Sequence, residues 1–162
     1  MKRVFDLHTF QYDPELIDTI DLLLTVKNFD LQAIRKRYLD SRKKNTGKIG
    51  SVERRKVGNG GIVHVKIKND RVTEEQILCE LLEPRAISLI ENKLSIGAEN
   101  TVYVFEDDLR LKISDPWFSY IHTVDFHPAD PDLLLISSSG FDCLFEWDIR
   151  NNKKVFEWFA WD

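Results

Sequence analysis

From Gly60 onward, apolar and polar residues alternate in short runs separated by turn-forming groups. Ile62-Val63-His64-Val65-Lys66-Ile67-Lys68 has a period of two and stops at Asn69-Asp70, which predicts a strand closed by a tight turn. Arg71 to Leu82 predicts a returning extended segment, although Thr73-Glu74-Glu75-Gln76 also fits a helical turn. Gly58-Asn59-Gly60-Gly61 predicts the turn that leads into this pair.

The N-terminal third has a different pattern. Asp13-Pro14 offers an N-cap followed by proline in the first helical position, and Tyr12 and Ile17 stand at staple spacing. A short helix is expected from about Pro14 to Ile20. Leu22-Leu23-Leu24-Thr25-Val26 then ends on β-branched residues and reads as a strand. Further on, Asp30 can cap a second helix, with Phe29 stapled onto Ile34 and with Leu31, Ile34 and Tyr38 on one face. This helix is expected over Leu31–Lys43.

The later strands repeat at a spacing that starts at 37 residues and widens to 40 and 41. Arg85-Ala86-Ile87-Ser88-Leu89 matches His122-Thr123-Val124-Asp125-Phe126. Leu94–Gly97 matches Leu134–Ser137, and Val102–Phe105 matches Cys143–Glu146. Acidic turns follow at Glu106-Asp107-Asp108 and Asp148–Asn152, and last strands are expected at Arg110–Ser114 and Lys154–Trp158. Four short strands in about 40 residues make one propeller blade. The block Val124-Asp125-Phe126-His127-Pro128, Leu133–Ser138 and Phe145-Glu146-Trp147-Asp148 resembles one repeat of the WD-repeat and related YVTN-like β-propellers. Trp147-Asp148 stands where such repeats have their namesake dipeptide. Two departures are visible: Phe118 stands where Gly-His is usual, and Asp142 is one residue too close to Trp147.

The expected fold is therefore all-β with a helical N-terminal part: an incomplete β-propeller with two clear four-stranded blades and a first blade carrying a basic helical insertion. The expected divisions are an N-terminal segment at 1–20, a first blade at 21–82 with the insertion at about 30–58, a second blade at 83–115 and a third at 116–162. An unclosed stack leaves blade faces uncovered, and Val102, Val104, Phe145 and Phe156 are the side chains expected there. The aromatic run Val155–Trp161 adds to that surface. The function implied is a protein-interaction or ligand-binding module, whose partner is another protein or a second copy that completes the ring.

Composition changes this picture little. Hydrophobic residues make up 43% and charged residues 31%, as in an ordinary globular domain. No apolar run approaches the roughly 18 residues of a membrane span, and no signal-peptide core follows Met1-Lys2-Arg3, so the expected location is the cytoplasm. Cys79 and Cys143 form neither a zinc pattern nor a CxxC motif and read as buried reduced thiols.

Charge is distributed unevenly. Ten basic residues and two acidic ones lie between Arg35 and Lys56, a block of +8 in a chain of net charge −4. Arg35, Lys36, Arg37, Arg42, Lys43 and Lys44 are the candidate polyanion contacts. Only Tyr38 supplies an aromatic ring among them, so nucleic acid is the minor reading beside a solvated loop.

Arg85 and His122 begin equivalent inner strands, and in propellers that region faces the mouth of the central channel. There an arginine can hold an anionic group and a histidine can exchange a proton. The alternative function is thus a propeller enzyme or small-molecule binder at Arg85 and His122; against it, Arg85 can simply pair with Glu83. No metal or cofactor is expected. Strand alternation separates His122 from Asp125 and His127, Ser137-Ser138-Ser139-Gly140 is not a nucleophile elbow, and Thr46-Gly47-Lys48 lacks the glycine spacing of a P-loop.

Overall fold

The computed structural model describes residues 19–33, 35, 36, 39 and 58–161. Three antiparallel sheets follow one another along the chain. The first has the order β1 (Thr19–Val26), β2 (Asn59–Lys68), β3 (Arg71–Leu82). The second is β4 (Ala86–Ile90), β5 (Lys93–Gly97), β6 (Val102–Glu106), β7 (Asp108–Ile113). The third is β8 (Ile121–His127), β9 (Asp130–Ser138), β10 (Cys143–Asp148), β11 (Lys153–Phe159). Each is a plain meander, and the first strands of successive sheets lie against one another, β1 beside β4 and β4 beside β8.

The N-terminal expectations need correction. Thr19 and Ile20, placed at the end of a helix by the Asp13-Pro14 signal, belong to β1, and residues 12–18 lie outside the described part. Ladder bonding explains the change: every residue from Thr19 to Val26 pairs with β2, from Lys68 back to Gly61. Helix does begin at Leu31. Asp30 Oδ1 accepts a hydrogen bond from the Ala33 amide at 2.9 Å, the geometry of an N-cap. Residues 31–33, 35, 36 and 39 are helical; Ile34, Tyr38 and 40–57 lie outside the described part. Thr73–Gln76 is extended within β3.

The core lies between the second and third sheets. Val102, Val104, Ile113, Val124, Ile136 and Phe145 are among its members, each at most 3% exposed. Alternation produces this directly: along β10, Cys143, Phe145 and Trp147 are buried while Leu144, Glu146 and Asp148 are half-covered. Val102, Val104 and Phe145 were expected on uncovered faces and are instead sealed inside, because the two sheets present these rows to each other. Of that expected group only Phe156 is open, at 50%.

Two features set the spacing of these sheets. A Cβ at Gly97 would come within 2.7 Å of Ile121 Cγ2 and 3.1 Å of Val124 Cγ1, so β8 approaches β5 over a residue with no side chain. At the other end of the strands, Lys93 Nζ of β5 donates to Asp132 Oδ1 of β9 at 2.6 Å, and Arg150 pairs with the second oxygen. The hydrogen bond from Lys93, helped by Arg150, holds the Asp132 carboxyl below its ordinary value against the opposing effect of burial. Trp147 closes the same end: its Nε1 donates to Asn152 Oδ1 at 3.1 Å.

Two outcomes are expected. Gly97→Val should destabilise the chain by about 1–3 kcal/mol, the usual cost of overpacking, measured by urea unfolding; a neutral result would mean the sheets can part there freely. Because Asp132 titrates lower folded than unfolded, its contribution is complete above the unfolded value of about 4 and is lost as pH falls through the folded value. The stability gap between wild type and Asp132→Asn should be flat near neutrality and close in acid. A gap unchanged down to pH 2 would refute the ion pair as its source.

Candidate functional site

Arg85 is the last residue of the link from β3 to β4, and its surroundings are polar and closed. Its side chain is 7% exposed. Nη2 lies 2.5 Å from Glu83 Oε2 and 2.7 Å from Glu99 Oε2, and the guanidinium stacks over the Tyr120 ring with Cζ 4.5 Å from its centroid. Nη1 has no hydrogen-bond partner among the described residues, so one donor of the fork is left over. Glu83 is shared further: its Oε1 accepts from the Gly58 amide at 3.2 Å, and Lys27 Nζ stands 3.6 Å from Oε2.

Backbone bonds complete the junction. Arg85 N donates to Gly97 O, Tyr120 N to Glu99 O, and Glu83 N to Gly58 O, at 2.8, 2.7 and 3.0 Å. Thr25 Oγ1 donates to Arg85 O at 3.3 Å. Glu83 and Tyr120 both adopt positive φ, 44° and 53°, uncommon for side-chain-bearing residues and held here by these bonds. The cluster thus joins the end of β1, the β3–β4 link, the β5–β6 loop and the residue before β8. Two carboxylates match the two nearby cations, so little net charge is offered to an incoming anion.

His122 is placed differently. The β8–β9 register shifts between Ile121 and Thr123, which leaves His122 on a bulge, exposed and out of step with Val124 and Phe126. Arg85 is therefore enclosed while His122 faces solvent. Of the basic candidates, Arg35 and Lys36 are exposed on the helical segment, and Arg37, Arg42, Lys43 and Lys44 lie outside the described residues. No group of three or more His, Cys, Asp or Glu side chains that could hold a metal occurs among the described residues. Both cysteines are unpaired; Cys143 is buried, Cys79 only half so, and burial pushes the Cys143 thiol up.

A further open feature is the outer face of the third sheet. Two cross-strand rows define it, Leu135–Glu146–Phe156 and Ser137–Leu144–Trp158. Leu135, Phe156 and Trp158 are 42%, 50% and 49% exposed. Val155, the extra residue where β11 bulges against Glu146 and Trp147, adds to them at 49%. Trp117 closes one end of the sheet, its ring in contact with Phe141, Phe159 and Trp161 at 5.4, 5.4 and 6.4 Å between centroids.

The pairing of Arg85 with Glu83 was expected from the sequence as the reading opposed to a ligand role. Sequence reasoning missed Glu99 and Tyr120, which reach Arg85 from separate loops and leave no local signal. The aromatic run through Trp158 did point to an exposed surface.

No protein-family model and no curated protein matches the chain. Its class rests on geometry: an all-β chain of three antiparallel sheets in meander order, compatible with the propeller-like superfamily.

Replacing Arg85 by Met should cost about 3–5 kcal/mol, because Glu83 and Glu99 would be left with too little compensating charge in a buried place. His122→Ala should stay within about 0.5 kcal/mol, as at an ordinary surface site. Equilibrium urea unfolding compares the two, and equal effects would contradict the assignment of Arg85 as a clamp.

Proposed function

We propose that this chain is a propeller-type protein-interaction module whose three sheets act as successive blades, over 21–82, 83–115 and 116–162. One observation supports it most: the outer face of the third sheet bears Leu135, Phe156 and Trp158 in the open, while its other face is packed. A sheet face of this kind is covered in a stable assembly. Side-by-side first strands and the sheet-on-sheet core agree with blades arranged about a common centre. Two unpaired cysteines fit a reducing compartment such as the cytoplasm.

The second reading, a small-molecule or catalytic site at Arg85 and His122, has less support. Glu83 and Glu99 already neutralise Arg85, and Tyr120 covers its face. Polyanion binding by Arg35 and Lys36 with their basic neighbours is the weakest reading.

An apolar dye that reports exposed hydrophobic surface tests the module reading. Wild type should bind it, or bury the same face by associating. Phe156→Glu/Trp158→Glu should lose the association and bind clearly less dye, with an unchanged unfolding midpoint. A wild-type chain that neither binds dye nor associates would overturn the proposal.

A further inference from the structure

Among the described residues, the first sheet also has a largely open face. In its ladder the row Thr25–Ile62–Cys79 turns toward the second sheet, where Thr25 Oγ1 donates to Arg85 O and Ile62 is 1% exposed. Alternation turns the neighbouring rows Ile20–Ile67–Val72 and Leu24–Val63–Ile77 the other way. These two rows are aliphatic, and the row between them, Leu22–Val65–Glu75, is aliphatic except for the exposed Glu75 at its β3 edge. Ile20, Leu24, Val72 and Ile77 are 37%, 41%, 59% and 51% exposed, while Val63 between Leu24 and Ile77 is 5% exposed and Phe29 lies over the Gly61 end of the face. The stack of three sheets thus ends in two different open faces, aliphatic on the first sheet and aromatic on the third.

We infer that these two faces are each other's partners between two copies of this chain, joined head to tail. The inference rests on the blade reading given above. Within one chain the same step already occurs: the second sheet presents Val102, Val104 and Gly97, and the third covers them. Repeating that step from the third sheet brings up the first sheet of a second copy, with its branched aliphatic rows over Phe156 and Trp158. Because the two faces differ, the contact is heterologous, and such contacts form rings when the rotation closes. Two copies supply six sheets, within the usual range of four to eight for a closed propeller.

The areas agree with this stoichiometry. Half-exposed Phe156 and Trp158 with Leu135 and Val155 offer on the order of 350 Å² of side-chain surface, given about 150–250 Å² for a whole aromatic residue. One such junction is small for a stable complex. A closed pair has two junctions and four faces, about 1,400 Å² in total, within the roughly 1,200–2,000 Å² of stable interfaces.

Complementation between variants tests the pairing. One variant carries Val72→Glu and Ile77→Glu on the first sheet, the other Phe156→Glu and Trp158→Glu on the third. Light scattering coupled to size-exclusion chromatography reads the mass, and near-ultraviolet circular dichroism confirms folding; Ile77→Ser and Trp158→Ser replace them if either fails to fold. Wild type should run at twice the 19.0 kDa of one chain. Each variant alone should run as a single chain. An equimolar mixture, taken to near-millimolar concentration, should recover the pair, because one intact aliphatic face then meets one intact aromatic face. If the first-sheet variant pairs as wild type does, the contact is third sheet on third sheet and the inference falls, while the module reading stands. If the mixture stays single, the head-to-tail contact is also refuted. A single-chain wild type that binds the apolar dye refutes self-association alone; one that does not bind it refutes both readings.

Discussion

A four-stranded sheet of short strands has two faces and little to put between them, so its stability depends on a neighbour. Here the second and third sheets meet that need for each other. Ile136 and Phe145 from the third sheet and Val102, Val104 and Ile113 from the second are nearly water-free. Burial of apolar surface contributes roughly 25 cal/mol per Å², and the buried hydrophobic cluster among the described residues lies at this contact. Gly97 matters for this reason: any side chain there would strike Ile121 and hold the sheets apart.

Polar groups fix what the apolar contact leaves free. Lys93, Asp132 and Arg150 bridge the second and third sheets at one end of the strands, and Arg85 with Glu83, Glu99 and Tyr120 binds the loops at the other. A buried ion pair gives little net stability, since desolvation offsets most of the attraction. Its effect is directional. Sliding one sheet by a residue would strand a carboxylate, whereas the apolar rows alone would tolerate a shift. Ser138 works similarly without charge: its hydroxyl, fully buried, donates to Trp117 O at 2.6 Å and accepts from Ser119 N at 2.9 Å, tying the segment before β8 to the end of β9.

The first sheet is held less firmly. Its row nearest the second sheet includes buried Ile62, but farther along the same face lie Asp21, His64, Lys66 and Glu74, paired among themselves by His64–Asp21 and Lys66–Glu74. Opposite, Leu89 and Leu109 of the second sheet remain 62% and 53% exposed. The long edge strand β3 bulges twice against β2, near Val63 and near Ile67. Bulges twist an edge away from further strand pairing.

Much of the strand order was legible because period-two alternation and turn residues are local. Ile62–Lys68, the two copies of the four-strand repeat and the Asp30 cap all depend on neighbours a few residues apart. The Arg85–Glu83 pair was legible for the same reason. What lies on each face was not. Alternation says that Val104 and Phe156 each point to one side of a strand; it does not say which side meets another sheet, so Val104 was expected in the open and is sealed. The same limit applied to Thr19 and Ile20, where pairing with Lys68 and Ile67 overrode a local helix signal. Glu99 and Tyr120 reach Arg85 only because three loops converge once the sheets have stacked. Local spacing determined the strands; the packing of distant sheets decided which of their faces are core and which stay exposed.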